Sequence, residues 1–177
     1  MLLITNVSSS NPKLYVYRDC EEYETEVAFS SSPRCVAAIP GTDRTVVTLA
    51  IEQSIQFIIT RTTEKGDKVN VRFTCFGIAA GRDIIYVGGE GGTIKLLDIN
   101  GTTLKTINQW SDDIYFMLYN YRNEKLIIIF PSKLRCVKSD GRFVYNMDVS
   151  GTAGTTLDRQ GNVYLGGYQT NTIQRIS

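Results

Sequence analysis

Apolar residues along the chain cluster in runs of three to seven positions, broken by Gly, Asn, Asp and Ser. Leu14-Tyr15-Val16-Tyr17, Val46-Val47-Thr48-Leu49, Ile84-Ile85-Tyr86-Val87, Leu126-Ile127-Ile128-Ile129 and Val163-Tyr164-Leu165 are the clearest. Such runs are rich in β-branched and aromatic residues, which suit a pleated, half-buried strand. No segment of eleven or more residues carries helical spacing. The best rival, Ile51 to Arg61, contains Ile-Gln-Phe-Ile-Ile-Thr and reads as a strand. All four prolines fall between strand candidates.

The runs also repeat. Val46-Val47-Thr48, Tyr86-Val87-Gly88, Ile127-Ile128-Ile129 and Tyr164-Leu165-Gly166 follow one another at about forty residues. A turn precedes each: Gly41–Arg44, Gly81–Asp83, Arg122–Lys125 and Asp158–Asn162. A second turn series keeps step at Lys65-Gly66-Asp67, Asp98-Ile99-Asn100-Gly101 and Ser139-Asp140-Gly141. Repeats of 40 to 45 residues holding four strands are the mark of a β-propeller blade. One such sheet cannot bury both faces alone, so copies stack radially.

The predicted fold is therefore all-β: a single propeller domain, or propeller fragment, over 1–177, of four-stranded antiparallel blades. Full blades are predicted at 35–73 (strands 35–39, 45–50, 55–61, 69–73), 75–107 and 115–148. Partial blades are predicted at 1–30, holding strands two to four, and at 153–177, holding strands one to three. Unpaired edges and end faces would invite self-association.

Composition narrows the chemistry. Of the 177 residues, 42% are hydrophobic and 21% charged, within the globular range. Nineteen Lys and Arg against eighteen Asp and Glu leave +1, so no strongly basic nucleic-acid glove is expected. The chain has no histidine, which removes imidazole bases and His metal ligands. Cys20, Cys35, Cys75 and Cys136 are too scattered for a zinc site and read as reduced, partly buried thiols. The apolar stretch Leu2 to Ile4 is too short for a signal peptide, and no run reaches a spanning length. The expectation is a cytoplasmic chain with no membrane contact and no cofactor.

Catalytic signals are weak. Asp112-Asp113 is a carboxylate pair, but adjacent strand residues point to opposite faces, and a polar loop between blades fits better. Gly88-Gly89-Glu90-Gly91-Gly92 lacks the Lys and Ser/Thr of a phosphate loop and reads as a tight turn. Residues 122–142 hold Arg122, Lys125, Lys133, Arg135, Lys138 and Arg142 against Glu124 and Asp140, with Tyr119, Tyr121 and Phe130 nearby. Cations interleaved with rings are how single-stranded RNA is gripped. The bland reading sends these charges to water on several sides. Glu22, Glu24 and Glu26 share one side of a strand and Tyr23, Thr25 and Val27 the other, as on a solvated outer strand.

The last repeat, Leu157-Asp158-Arg159-Gln160-Gly161-Asn162-Val163-Tyr164-Leu165-Gly166-Gly167-Tyr168-Gln169-Thr170-Asn171-Thr172-Ile173-Gln174, resembles the NHL repeat. Shared features are the acidic residue, the Gly-Asn turn, the Val-Tyr-Leu strand and the Asn loop before Ile-Gln. Leu97–Ile107 is similar to the end of such a repeat, and Leu3–Asn6 with Lys13–Asp19 is similar again. The whole chain resembles the C-terminal propeller of tripartite-motif proteins of the divergent invertebrate type. That resemblance implies a non-catalytic platform that recognises protein substrates or adaptors for a ubiquitin ligase, with RNA binding as the alternative and a propeller-based enzyme behind both. No Cys/His cluster or heptad run of the ligase's catalytic half occurs in the sequence. In a propeller, the loops after strands two and four open on one face. That places Arg34, Arg72, Glu90, Trp110, Asp112, Asp113, Lys133, Tyr168 and Asn171 on the predicted partner-binding side. Trp and Tyr there suit protein interfaces.

Overall fold

A computed structural model describes residues 2–18, 22–149, 151–167 and 170–176. Every regular element is a strand except one 3-10 turn at Glu90–Gly92. The strands are β1 Leu2–Asn6, β2 Lys13–Arg18, β3 Glu22–Ala28, β4 Pro33–Ala38, β5 Arg44–Leu49, β6 Ser54–Ile59, β7 Glu64–Asn70, β8 Cys75–Ala80 and β9 Ile84–Gly89. They continue as β10 Thr93–Asp98, β11 Thr103–Asn108, β12 Phe116–Asn120, β13 Lys125–Ile129, β14 Lys133–Lys138, β15 Phe143–Asp148, β16 Thr152–Leu157, β17 Val163–Gly167 and β18 Thr172–Ile176.

They pair into five antiparallel meanders: β1-β2-β3, β4-β5-β6-β7, β8-β9-β10-β11, β12-β13-β14-β15 and β16-β17-β18. The fold is a β-propeller. The expectation of three blades with fragments at the ends is corrected to five blades. Each three-stranded terminal sheet packs against its neighbour as a blade in its own right.

Four apolar cores hold the blades together, one at each successive junction. The first packs Leu14, Val27 and Phe29 against Val47, Leu49 and Ile58. The second joins Val46, Ile55 and Phe57 to Ile78, Ile85, Val87 and Leu97. The third joins Tyr86, Ile94 and Leu96 to Met117, Leu126 and Ile128. The fourth joins Ile127, Ile129 and Leu134 to Val163 and Leu165. Side chains alternate across each strand, so β13 sends Leu126 and Ile128 to one core and Ile127 and Ile129 to the other. Two-faced burial explains the continuous apolar run at 126–129. Among the described residues, no fifth core joins the last blade to the first.

The channel-side strands are β1, β4, β8, β12 and β16. β1 runs opposite to β4: its Thr5 meets Arg34 at the start of β4, while Leu3 packs with Val36 further along. β1 therefore has the sense of a second strand, and among the described residues no strand lies inside it.

Two local expectations change. The turn at Lys65-Gly66-Asp67 and the strand at 69–73 are replaced by β7 over Glu64–Asn70. β7 enters from Thr63, at φ 58°, and ends before Arg72, at φ 64°. The pairing slips between Gln56 and Ile58, and the buried Gln56 amide fills the irregularity by donating to the carbonyls of Gly66 at 2.7 Å and Asp67 at 3.2 Å. β3 carries a comparable shift opposite Val16/Tyr17. It moves Tyr23 to the side of Glu26, where it packs edge-on against Tyr15 and Tyr17 rather than sharing a face with Val27.

Turn chemistry recurs where the sequence repeats. Asp98 Oδ1 accepts the N–H groups of Asn100 and Thr102, and Asp158 Oδ1 those of Gln160 and Asn162. Gly101 and Gly161 supply the positive φ at 88° and 91°. These donors stabilise the carboxylates and hold both Asp98 and Asp158 below the ordinary range, with the Thr102 N–H leading at Asp98 and the Asn162 side chain at Asp158.

Candidate functional site

The starts of β4, β8, β12 and β16 and the end of β1 gather at one rim, here called upper, around a hollow of about 490 Å³. Thr5, Val7, Arg34, Cys35, Phe76, Tyr115, Phe116 and Thr152 line it, so all five blades contribute. A second hollow of about 480 Å³ continues down the channel past Leu3, Val36, Ile78, Met117 and Thr155. A third, of about 280 Å³, runs outward over Ser32, Ala50, Ile51, Thr74 and Phe76. Arg34 borders all three and, among the described residues, is the one charged residue in their linings.

A chain of hydrogen bonds fixes the mouth. Thr5 Oγ1 donates to the Arg34 carbonyl at 3.3 Å. The Cys35 N–H donates to Thr48 Oγ1 at 3.0 Å, and that fully buried hydroxyl donates onward to the Phe76 carbonyl at 2.9 Å. The Cys35 thiol points at the Tyr115 carbonyl at 3.7 Å. Burial pushes that thiol up to about 12 against the pull of Arg34, so it is held protonated as a donor. Four blades are thereby tied together around the start of β4. The guanidinium lies 5.9 Å from the Phe76 ring centroid, and Phe76 meets Tyr115 at 5.6 Å. Among the described residues Arg34 has no carboxylate partner.

Of the residues expected on the partner-binding side, Arg34 lines the mouth. Arg72 and Glu90 are exposed on upper turns, the first accepting strain at φ 64° and anchored by Asn70 Oδ1, the second bonded through its N–H to the Thr74 carbonyl. Asp113 accepts the Gly91 N–H at 2.9 Å, a bond internal to the rim, while Asp112 is exposed. Trp110 packs its ring edge-on against Phe130 at 5.9 Å beside the third core, and its backbone and Cβ fill the space beside Gly92. Lys133 is half-buried at the same end of β14, and Asn171 is exposed at φ 51°. Tyr168 lies outside the described residues, as do Cys20, Asp19 and Glu21. Phe76, Tyr115 and Val7 escaped the sequence reading. They come from three blades, and only the repeat register, which aligns the starts of inner strands, could have joined them.

The basic set divides. Arg122 and Lys125 sit at the turn between β12 and β13, Lys138 and Arg142 at that between β14 and β15, all at the lower rim; Lys125 and Lys138 are direct cross-strand partners. Lys133 lies at the opposite end. Arg135 is mid-strand against the Phe130 ring at 5.5 Å, and its Nε is buried without a partner. Arg142 is paired with Asp140 at 2.6 Å. A shallow hollow of about 190 Å³ adds Arg159 to Arg122 and Tyr121. Among the described residues, no three His, Cys, Asp or Glu side chains gather to hold a metal ion. No helix there is long and apolar enough to cross a membrane.

No family model matches the sequence, and no curated protein does either. The structure is similar to a chain of Kuenenia stuttgartiensis hydrazine synthase, with a TM-score of 0.69 and 14% sequence identity. The match covers 98% of this chain and 62% of that one, so this chain spans about three fifths of its neighbour's length. At that identity the likeness carries the propeller fold and nothing of the activity.

Proposed function

We propose that this chain is a non-catalytic interaction module whose upper rim docks protein partners. The observation that carries the reading is the mouth itself: a guanidinium without a carboxylate partner among the described residues, set against the Phe76 ring that in turn meets Tyr115, on a backbone held by hydrogen bonds among four blades. Preorganised Arg and aromatic groups are the residue types on which binding energy concentrates. The NHL-like last repeat extends the proposal to substrate recognition within a tripartite-motif-type ubiquitin ligase. Photocrosslinking groups placed in cells at Arg72 and Asp112, on the upper rim, and at Arg122, on the lower, test both levels. Protein adducts at the upper positions alone, carrying ubiquitin, are expected. Adducts only at Arg122 would reverse the assignment of faces.

The second reading, single-stranded RNA binding, is favoured by the lower rim, where Arg122, Lys125, Lys138 and Arg159 accompany Tyr121 and Phe143, exposed by 66% and 63%. An oligouridine mobility shift at low and at physiological salt decides it, because phosphate pairing is strongest at low salt.

A further inference from the structure

We propose that the mouth recognises a carboxylate of an extended acidic peptide, with Arg34 receiving the carboxylate and the outward hollow receiving an apolar neighbour. This rests on the upper rim being a docking surface and names what docks there.

The charge argument is specific. Among the described residues, the three connected hollows carry a single charged side chain, Arg34, and the remaining lining is apolar, hydroxyl-bearing or the Cys35 thiol. A planar guanidinium matches a carboxylate with two parallel hydrogen bonds. The exposed guanidinium lies 5.9 Å from the Phe76 ring centroid, and no carboxylate among the described residues takes its hydrogen-bonding edge. Thr152 stands at the same mouth as a hydroxyl donor, while the Thr5 hydroxyl proton is taken by the Arg34 carbonyl. One positive charge balances a carboxylate, whereas a phosphate monoester would bring a charge near −2.

Shape selects a chain over a compact acid. The mouth opens laterally into the hollow over Ser32, Ala50, Ile51, Thr74 and Phe76. Ile51 is 81% exposed and Val7 53%, with Tyr115 at 42% on the other side of Arg34. Apolar side chains left in water on either side of a lone cation suit a segment that places an acidic residue centrally and an aliphatic or aromatic residue beside it. The backbone around Arg34 is held by the bonds of Thr5, Cys35 and Thr48, none of which uses the guanidinium. Replacing that side chain therefore leaves the mouth's framework intact.

The test is selection from a phage-displayed random dodecapeptide library on the full chain, followed by fluorescence polarisation of the selected peptides. The expected result is enrichment of Asp or Glu beside Leu, Ile, Phe or Tyr. Arg34→Gln should weaken those peptides about 10- to 100-fold, the range of a charged hydrogen-bonded contact, and Arg34→Glu should abolish them. Arg122→Glu, at the other rim, should leave them unchanged. Enriched peptides without an acidic residue, weakened by Phe76→Ala but not by Arg34→Gln, would overturn the carboxylate assignment and leave the docking surface standing. Failure to select any peptide would overturn both. Binding of 3-phenylpropionate as tight as that of the peptides would overturn the extended-chain occupant.

Discussion

Two stretches of this chain read almost alike and live in different places. Tyr86-Val87-Gly88-Gly89 forms most of β9 in the third blade, and Tyr164-Leu165-Gly166-Gly167 forms most of β17 in the fifth. In the third blade both faces are covered. Tyr86 is 1% exposed, and a Cβ on Gly88 would stand 2.5 Å from Met117 Sδ and 2.8 Å from Ile114 Cγ2. A Cβ on Gly89 would stand 2.1 Å from the Thr74 carbonyl oxygen. In the fifth blade, among the described residues, only one face packs into a core. Leu165 is buried, Tyr164 is half-buried and donates to Asp158 Oδ2 at 3.2 Å, and a Cβ on Gly166 would meet only the Gly154 carbonyl at 3.8 Å. The same residues are a packing necessity in one blade and a spare allowance in the other. A motif in a repeat protein thus takes its energetic meaning from the next repeat.

The sharpest break in that comparison is truncation of the two tyrosines. Tyr86→Ala should cost about 3–5 kcal/mol, the range for emptying a large core site. Tyr164→Ala should cost about 1 kcal/mol, the usual toll of a half-buried position. Urea unfolding of both variants measures the gap, and equal costs would remove the distinction between inner and terminal blades. The glycines come next. Gly89→Ala should destabilise by about 2–3 kcal/mol through overpacking against backbone, while Gly154→Ala, with nothing within 4 Å of the new methyl, should stay within about 0.5 kcal/mol. A finer contrast concerns the hydroxyls. The Tyr86 hydroxyl is buried without a partner, so Tyr86→Phe should be neutral or raise stability by up to about 1 kcal/mol. Tyr164→Phe, which loses a bond to Asp158, should lower it slightly.

The smallest effect falls at the first junction. Glu52 accepts hydrogen bonds from Ser30 at 2.7 Å and Ser31 at 2.5 Å and pairs with Lys68. Partial burial works to raise its pKa, but these donors outweigh it and hold the carboxyl at about 2, down from 4.5. A lowered folded-state pKa stabilises above the unfolded value and loses that effect as pH falls toward the folded one. Glu52→Gln should therefore reduce the melting temperature by about 2 °C at pH 7, with the difference shrinking between pH 4.5 and 2. A constant difference across that window would assign the loss to packing instead of charge.

The strands were legible because burial on both faces demands apolar runs, and those runs cannot hide. Ile84–Gly89 and Lys125–Ile129 fall within about a residue of where periodicity puts them. β7 was not legible, because an outer strand faces water and tolerates Gly66 and Asp67, residues that elsewhere signal turns. The shift in β3 was equally silent, since a bulge costs one residue and leaves no compositional trace. At the candidate site, Arg34 was visible from loop position. Its setting was not: Phe76 and Tyr115 lie about one repeat apart each, and nothing in the local sequence says that their rings meet. Trp110 shows the converse, because a tryptophan between blades and one at an interface have the same surroundings in sequence.

The reversed sense of β1 carries a practical corollary. Leu2 opens β1 at the lower rim, and β18, descending from the upper rim, brings Ile176 back to the same side. A probe or surface tether fixed at Leu2 or Ile176 leaves from beneath, so protein held through those residues would offer Arg34 and its aromatic surround outward to whatever flows past.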